Sequence, residues 1–271
     1  MVMDAVHVPV LPKETLEYLV PGSDTPLMID ATCGEGGHSG LFLATYPKLK
    51  IAAIDADPSI LEVARGRLEP FGSRIRFFNM WFNQFFREYP LGEERPELIL
   101  FDLGISVFHY ERSERGFSFQ RSEALDMRLG GGLETSAFDV VNSYPEDEIA
   151  DIIYTFGEER YSRRIARGIC EARKGATVET SAELARIICE SVPPDYRHGR
   201  IHPATRSFQA LRIFVNGELA RLQEALEGAV ETLLPGGRIG VISFHSLEDR
   251  IVKRFFQEKS KTCTCPPEQP I

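Results

Sequence analysis

The sequence predicts an α/β protein, a parallel sheet covered by helices, with a mainly helical domain inserted into it. Two observations carry this. Short apolar runs alternate with helix-compatible stretches through the first part of the chain, and three of them end in aspartate, at Asp30, Asp55 and Asp102. Sheet-like sequence then stops after Gly104 and returns only at Arg238-Ile239-Gly240-Val241-Ile242-Ser243-Phe244.

The elements follow in order. Leu27-Met28-Ile29-Asp30 reads as a strand, followed by the glycine turn Cys33-Gly34-Glu35-Gly36-Gly37-His38 and a helix over Ser39 to Tyr46. Ile51-Ala52-Ala53-Ile54-Asp55 is a second strand, after which Asp57 caps and Pro58 opens a helix reaching Leu68. Strands are expected again at Ile75 to Phe78 and at Leu98 to Asp102. Continuous apolar strands of this kind belong to parallel sheets buried on both faces, whose ligands bind beyond the carboxyl ends of the strands. One aspartate at such an end is an ordinary turn or cap residue; three at equivalent positions point to a shared site. Beyond Gly104 come Arg115-Gly116-Phe117-Ser118-Phe119 and Gly130-Gly131-Gly132, then helical sequence from Pro145 to Cys189 and a long helical segment from Thr205 to Leu234. The expected organisation is a first part of the α/β domain over residues 1–107, a helical insert over 108–208, and a second part over 209–271.

Composition narrows the class. No apolar run approaches membrane-spanning length, and Asp4, His7, Lys13, Glu14 and Glu17 interrupt any signal-peptide core, so a soluble, cytoplasmic protein with no membrane partner is expected. Five cysteines, Cys33, Cys170, Cys189, Cys263 and Cys265, are too sparse for a disulfide scaffold and read as reduced thiols. Cys263 and Cys265 supply two ligands, short of a structural metal site, and no metal is expected. A net charge of -9 excludes a surface that is basic all over. Yet between Arg160 and Lys174 six cations face one anion, Glu171, and Arg160, Arg163, Arg164 and Arg167 are spaced to share a helix face suited to phosphates. The competing reading is charge balance against Glu158, Glu159 and Glu171. Arg197, Arg200, His202 and Arg206 form a second basic cluster.

The glycine turn brings free amides close to a ligand, but alone it fits any adenosine-bearing one. A P-loop is excluded because no Gly-Lys-Ser/Thr follows, and the third glycine of a nicotinamide fingerprint is out of place. Asp55, 21 residues after Gly34, is placed to accept ribose hydroxyls. Leu234-Pro235-Gly236-Gly237-Arg238, running into the late strand, resembles the Pro-Gly-Gly turn of class I methyltransferases, against the bland reading of an ordinary helix-to-strand turn. Together these features select S-adenosylmethionine as the cofactor and a class I, Rossmann-like methyltransferase as the fold.

The match then becomes more specific. His7 to Leu11, Asp30 to Ser39, Ala53 to Asp57, Asp102 to Ser106, Glu114 to Phe119, Leu125 to Arg128, Tyr154 to Arg167, His202 to Arg206, Phe208 to Arg212 and Ser243 to Arg254 resemble, in order, the MraW/RsmH-type methyltransferases. That resemblance implies transfer of methyl to N4 of a cytidine in the decoding (P-site) region of 16S rRNA within the small ribosomal subunit, with no obligatory protein partner. It implies cofactor contacts from Gly36, Gly37, His38, Asp55, Phe82, Asp102 and His109. Phe82 alone reads as a core residue and His109 as a surface one. The chain departs from the family at Gly104 to His109, at Met80-Trp81-Phe82, and at its C-terminal end, which stops before a basic segment expected to add a last strand.

A cytosine amine is a poor nucleophile, because its lone pair is delocalised into the ring, and it needs a hydrogen-bond acceptor beside it. Asp102 is the nearest catalytic candidate; the second is His245, placed to bind base or phosphate, with Phe244 packing beside it. The competing reading of Ser246 to Asp249 is a helix start, with Ser246 as cap and Asp249 closing the capping box. DNA or a small molecule as substrate, and an assembly factor with a vestigial pocket, are the other functions open at this point.

Overall fold

The structure, a computed structural model, describes residues 9–261. After a short helix α1 (Pro12–Tyr18), the chain runs β1 (Leu27–Asp30), α2 (Gly37–Thr45), β2 (Lys50–Asp55), α3 (Pro58–Leu68), β3 (Ile75–Asn79), α4 (Phe82–Glu88) and β4 (Leu98–Asp102). These strands and a late one, β5 (Arg238–Ile242), form a five-stranded sheet in the order β3-β2-β1-β4-β5, each neighbouring pair parallel. Alternate residues of each strand feed two separate cores. Ile29, Ile54, Ile99 and Phe101 pack with Phe85 and Leu226 on one face, whereas Met28, Ile51, Ala53 and Leu100 pack with Phe42 and Leu61 on the other. Burial on both faces is why the strands read as unbroken apolar runs. Phe42, Phe85 and Phe101 are fully buried, and each such side chain contributes roughly 1.5–3 kcal/mol.

Strand order reverses between β1 and β4, because the chain leaves β1 toward β2 on one side and β4 toward β5 on the other. A crevice therefore opens above the carboxyl ends of β1 and β4. Helix α3 starts as expected, the Asp57 carboxylate accepting the Ser59 amide at 2.9 Å with Pro58 in the first turn.

The chain leaves the sheet after β4 through α5 (Val107–Glu111) and returns through β5. In between, α6 (Ala137–Ser143), α7 (Glu146–Gly157), α8 (Ser162–Gly175), α9 (Ser181–Ser191), the single turn α10 (Pro194–Arg197) and α11 (Ala204–Asn216) build a third core around Val140, Ile153, Ile165, Leu184 and Leu211. The helical segment expected over Thr205 to Leu234 is two helices, α11 and α12 (Glu218–Thr232), broken at Gly217, whose φ of +60° suits glycine. Asn216 fixes the break, donating to the Met127 carbonyl at 2.7 Å and accepting the Leu129 amide at 2.8 Å. The two halves serve different cores: Leu211 and Val215 of α11 pack in the insert, beyond the boundary expected at 208, and Leu222 and Leu226 of α12 pack under the sheet.

The late strand also ends earlier than expected, at Ile242, because His245 caps α13 (Ser246–Lys259). Its partner in the capping box is Glu248, so the box expected from Ser246 and Asp249 lies one residue earlier. Cys263 and Cys265 lie outside the described residues, as do His7 and Val8.

Helix α7 meets α11 at Gly157, where an added Cβ would sit 2.5 Å from the backbone oxygen of Arg206. Backbone cannot yield as a side-chain tip can. Gly157→Ala is expected to cost about 1–3 kcal/mol, as overpacking does, despite alanine's better helix propensity. A lowered midpoint of thermal unfolding would show it; an unchanged or raised midpoint would contradict the close approach.

Candidate active site

A cleft of about 300 Å³ opens above the carboxyl ends of β1, β2 and β4, with Gly37, His38, Asp55, Phe82, Asp102 and His109 in its lining. Six of the seven expected cofactor residues thus converge. The seventh, Gly36, does not line the cleft: it holds the turn at φ +78°, and a Cβ there would meet Leu68 Cδ1 at 2.6 Å. Its part is to let α2 start against α3.

The three strand-end aspartates separate. Asp30 is buried and accepts the Ser39 hydroxyl at 2.7 Å, burial raising its pKa; it is absent from the cleft lining and so leaves the shared site expected of it. Asp55 lines the cleft and accepts the amides of Gly34 and Asp57, each at 2.9 Å. Burial pushes its carboxyl up to about 6, against the pull of those two amides. Asp102 is held by its own amide, which donates to Thr32 Oγ1 at 2.7 Å, and its Oδ2 lies 3.4 Å from Nε2 of the buried His38. Asp102 Oδ1 and both His38 ring nitrogens are buried without a hydrogen-bond partner. Three unsatisfied buried polar atoms in one cleft are groups that a polar ligand can pair.

His109 is buried, contrary to the surface position its sequence context suggests alone. Its Nε2 lies 2.9 Å from Asp57 Oδ2, the oxygen that also accepts from the Arg115 guanidinium. Arg115 Nη1 donates in turn to the carbonyls of Arg128 and Leu129, and Leu129 lines the cleft. A residue legible in sequence only as a helix cap therefore latches the insert onto the sheet. Burial works against the Asp57 anion, but hydrogen bonds from His109, Arg115 and Ser59 outweigh it and hold the carboxyl at about 2.

His245 lies in a second cleft of about 300 Å³, which shares Gly104, Ile105 and Phe244 with the first. The two catalytic candidates, Asp102 and His245, therefore face adjoining spaces. The Phe244 ring separates them, 55% exposed and packed so closely on Gly104 that a Cβ there would meet it at 3.3 Å.

On the insert, Arg160, Arg163, Arg164 and Arg167 are exposed, although Arg160 precedes α8 and so does not share the helix face expected of it. Arg160 and Arg164 lie over the Tyr161 ring at 4.8 Å and 5.9 Å, beside a hollow of about 540 Å³ that Arg163 also lines. Of the glutamates invoked for charge balance, Glu158 and Glu159 are engaged elsewhere, while Glu171 balances one cation of the run. Glu158 pairs with Arg250, buried Glu159 accepts the Tyr196 hydroxyl at 2.6 Å, and Glu171 pairs with Lys174. Arg167 does have a carboxylate neighbour, Glu146 at 3.6 Å. In the second cluster, Arg197 and Arg206 donate to backbone carbonyls and His202 stacks on Phe119 at 4.5 Å. Among the described residues, no group of three or more His, Cys, Asp or Glu is arranged to hold a metal, and no helix is long and apolar enough to cross a membrane.

A parallel sheet reversing at β1/β4, a glycine turn into α2 and a carboxylate ending β2 define a class I methyltransferase, here with a helical insert. Residues 4–271 match the MraW methylase family. A protein of Treponema denticola named ribosomal RNA small subunit methyltransferase H is 55% identical over 269 residues, covering 99% of this chain and 85% of the relative. Proteins of the same name from Nostoc sp. and Borrelia turicatae are 48% and 45% identical, covering 91% and 96% of this chain and 79% and 87% of theirs. The chain belongs to the MraW methylase family.

The latch carries a pH signature. A carboxyl depressed from 3.8 to about 2 contributes stability that is present above pH 4 and lost as pH falls toward 2. Asp57→Asn is expected to lower the unfolding midpoint most at neutral pH, with the gap to wild type closing on acidification; a gap independent of pH would show that the Asp57 charge does not hold the latch.

Proposed function

We propose that this protein is an S-adenosylmethionine-dependent methyltransferase acting on N4 of a cytidine in the decoding (P-site) region of 16S rRNA, within the small ribosomal subunit in the cytoplasm. The relatives' shared name supports the rRNA substrate. The observation that carries the cofactor assignment is the set of orphaned buried atoms at His38 and Asp102, beside the glycine turn and across from Asp55.

The residues present fit S-adenosylmethionine. Asp55, with one oxygen on each of two amides, keeps lone pairs for the ribose hydroxyls. Phe82 and Ile60 offer apolar surface to a purine. His38 and the amide at Gly37 suit the amino and carboxylate groups of the methionine part, and His109 Nδ1, buried without a partner, supplies a further acceptor. When bound, the cofactor supplies a sulfonium methyl group as electrophile.

Asp102 takes the role the amine requires. Its unpartnered Oδ1 would accept a hydrogen bond from N4, drawing the lone pair out of conjugation, and the carboxylate would take the proton released as the methyl leaves the sulfonium sulfur for nitrogen. His38 beside Oδ2 orients that carboxylate. Substrate RNA is held by the insert, whose exposed arginines flank Tyr161: cations for phosphates and an aromatic face for an unpaired base. The target base leaves its stack to reach the cleft.

Tritiated methyl transfer to small subunits lacking the modification, followed by mapping of the labelled base, tests the assignment. Label on N4 of a decoding-region cytidine is expected, and label on free DNA or at another ribosomal position would contradict it. Asp102→Ala is expected to abolish transfer, so wild-type turnover in that variant would remove Asp102 from the mechanism. Reversing charge at Arg163 and Arg164 together is expected to weaken subunit binding about tenfold or more at low salt while cofactor affinity, read by calorimetry, stays level. Unchanged subunit affinity would relieve the insert of the RNA grip.

A further inference from the structure

The second cleft lies against the cofactor cleft, walled by Phe117, Phe119, Phe208 and the exposed Phe244, and polar where Arg212 and His245 enter. Flat aromatic walls and a few placed polar groups are the form of a site for a planar heterocycle. Tyr110, Thr205 and Gln209 also line it and can donate or accept, whereas Arg212 and His245 have a definite sign. His245 Nδ1 accepts the Glu248 amide at 3.4 Å as part of the cap, so the neutral ring carries its proton on Nε2. That Nε2 is buried, with Glu248 Oε1 as an ion-pair neighbour at 3.2 Å, and makes no aligned hydrogen bond. Arg212 is a buried arginine whose Nη2 and Nε are each 3.0 Å from Glu218 carboxylate oxygens, while Nη1 has no partner among the described residues. Glu218 offsets the cost of burying the guanidinium and leaves one edge of it for a ligand. Both residues line the cleft, and each keeps an N–H with no aligned hydrogen bond.

We infer that the second cleft seats the target pyrimidine and that Arg212 Nη1 and His245 Nε2 select cytosine by donating to its O2 and N3. This rests on the cytosine-N4 reading and adds the means of choice. Cytosine presents acceptors at both O2 and N3, with the amine on the adjoining carbon. Uracil carries a hydrogen on N3, which would face a donor and leave both groups unpaired, and sites that hydrogen-bond a ligand reject such analogues strongly. A base seated between Phe244 and Phe119 has its amine toward the shared rim at Gly104 and Ile105, on the side of Asp102. His245 thereby binds the base as a donor, and acceptance from the amine falls to Asp102 alone.

The test uses the whole protein and small ribosomal subunits carrying cytidine or uridine at the target position, with the latter read as competitors of methylation. Wild type is expected to prefer cytidine subunits by about tenfold or more. His245→Ser keeps an N-cap side chain while removing the imidazole donor; it is expected to lower kcat/KM at least tenfold and erase most of the preference, with cofactor affinity and the unfolding midpoint unchanged. Arg212→Met combined with Glu218→Gln removes the pair without stranding a buried charge, and is expected to do the same. Retention of the wild-type kcat/KM and preference by His245→Ser, or by the double variant, overturns the inference. Absence of N4-methylcytidine from wild-type reactions overturns the functional reading itself, and this selection mechanism with it.

Discussion

Everything in the cleft depends on a reversal of strand order. From β1 the chain winds outward through β2 to β3, whereas β4 and β5 are added on the opposite side, so connections diverge above β1 and β4 and leave a crevice there. The glycine turn ends one side of this crevice, and the stretch from Asp102 to Ser106 ends the other. Neither wall could close the space, since the helices that follow are committed to covering the faces of the sheet.

Closure falls to the insert, which needs anchorage because it has a core of its own. Asp57 supplies it. One buried carboxylate caps α3, holds His109 and grips Arg115, and through Arg115 it fixes the Arg128–Leu129 backbone at the cleft wall. Asp55 and its neighbour two residues on show how context sets acidity: Asp57, with an arginine and a histidine, stays ionised far into acid, whereas Asp55, desolvated and with only backbone donors, is raised to about 6. A second tether runs through Glu158, which joins the C-cap of α7 to Ser246 and Arg250 of α13.

Much of the candidate site is legible in the sequence. The turn around Gly36 and Gly37, the carboxylates Asp55 and Asp102, and the β5 strand after Pro235 are written as local patterns, since tight turns, caps and buried strands each demand particular residue types within a few positions. Asp30 shows the limit: its spacing matches that of Asp55 and Asp102, yet Ser39, nine residues on, takes up its carboxylate. His245 shows another, because a histidine as N-cap displaces the expected Ser246 by one residue and turns the ring's remaining proton into a donor.

Local sequence by itself determined the class of sheet, the glycine turn and the candidate acceptor Asp102, because periodicity and turn chemistry act over a handful of residues. Family resemblance, spread over the whole chain, carried the RNA reading further than any single motif. Tertiary structure alone decided that Asp57 latches the insert, that α11 and α12 part at Gly217 to serve different cores, and that His245 and Arg212 meet in a cleft beside Asp102. Those pairings join residues tens of positions apart or more. They are set by which faces remain uncovered once the sheet has folded, and no local pattern records that.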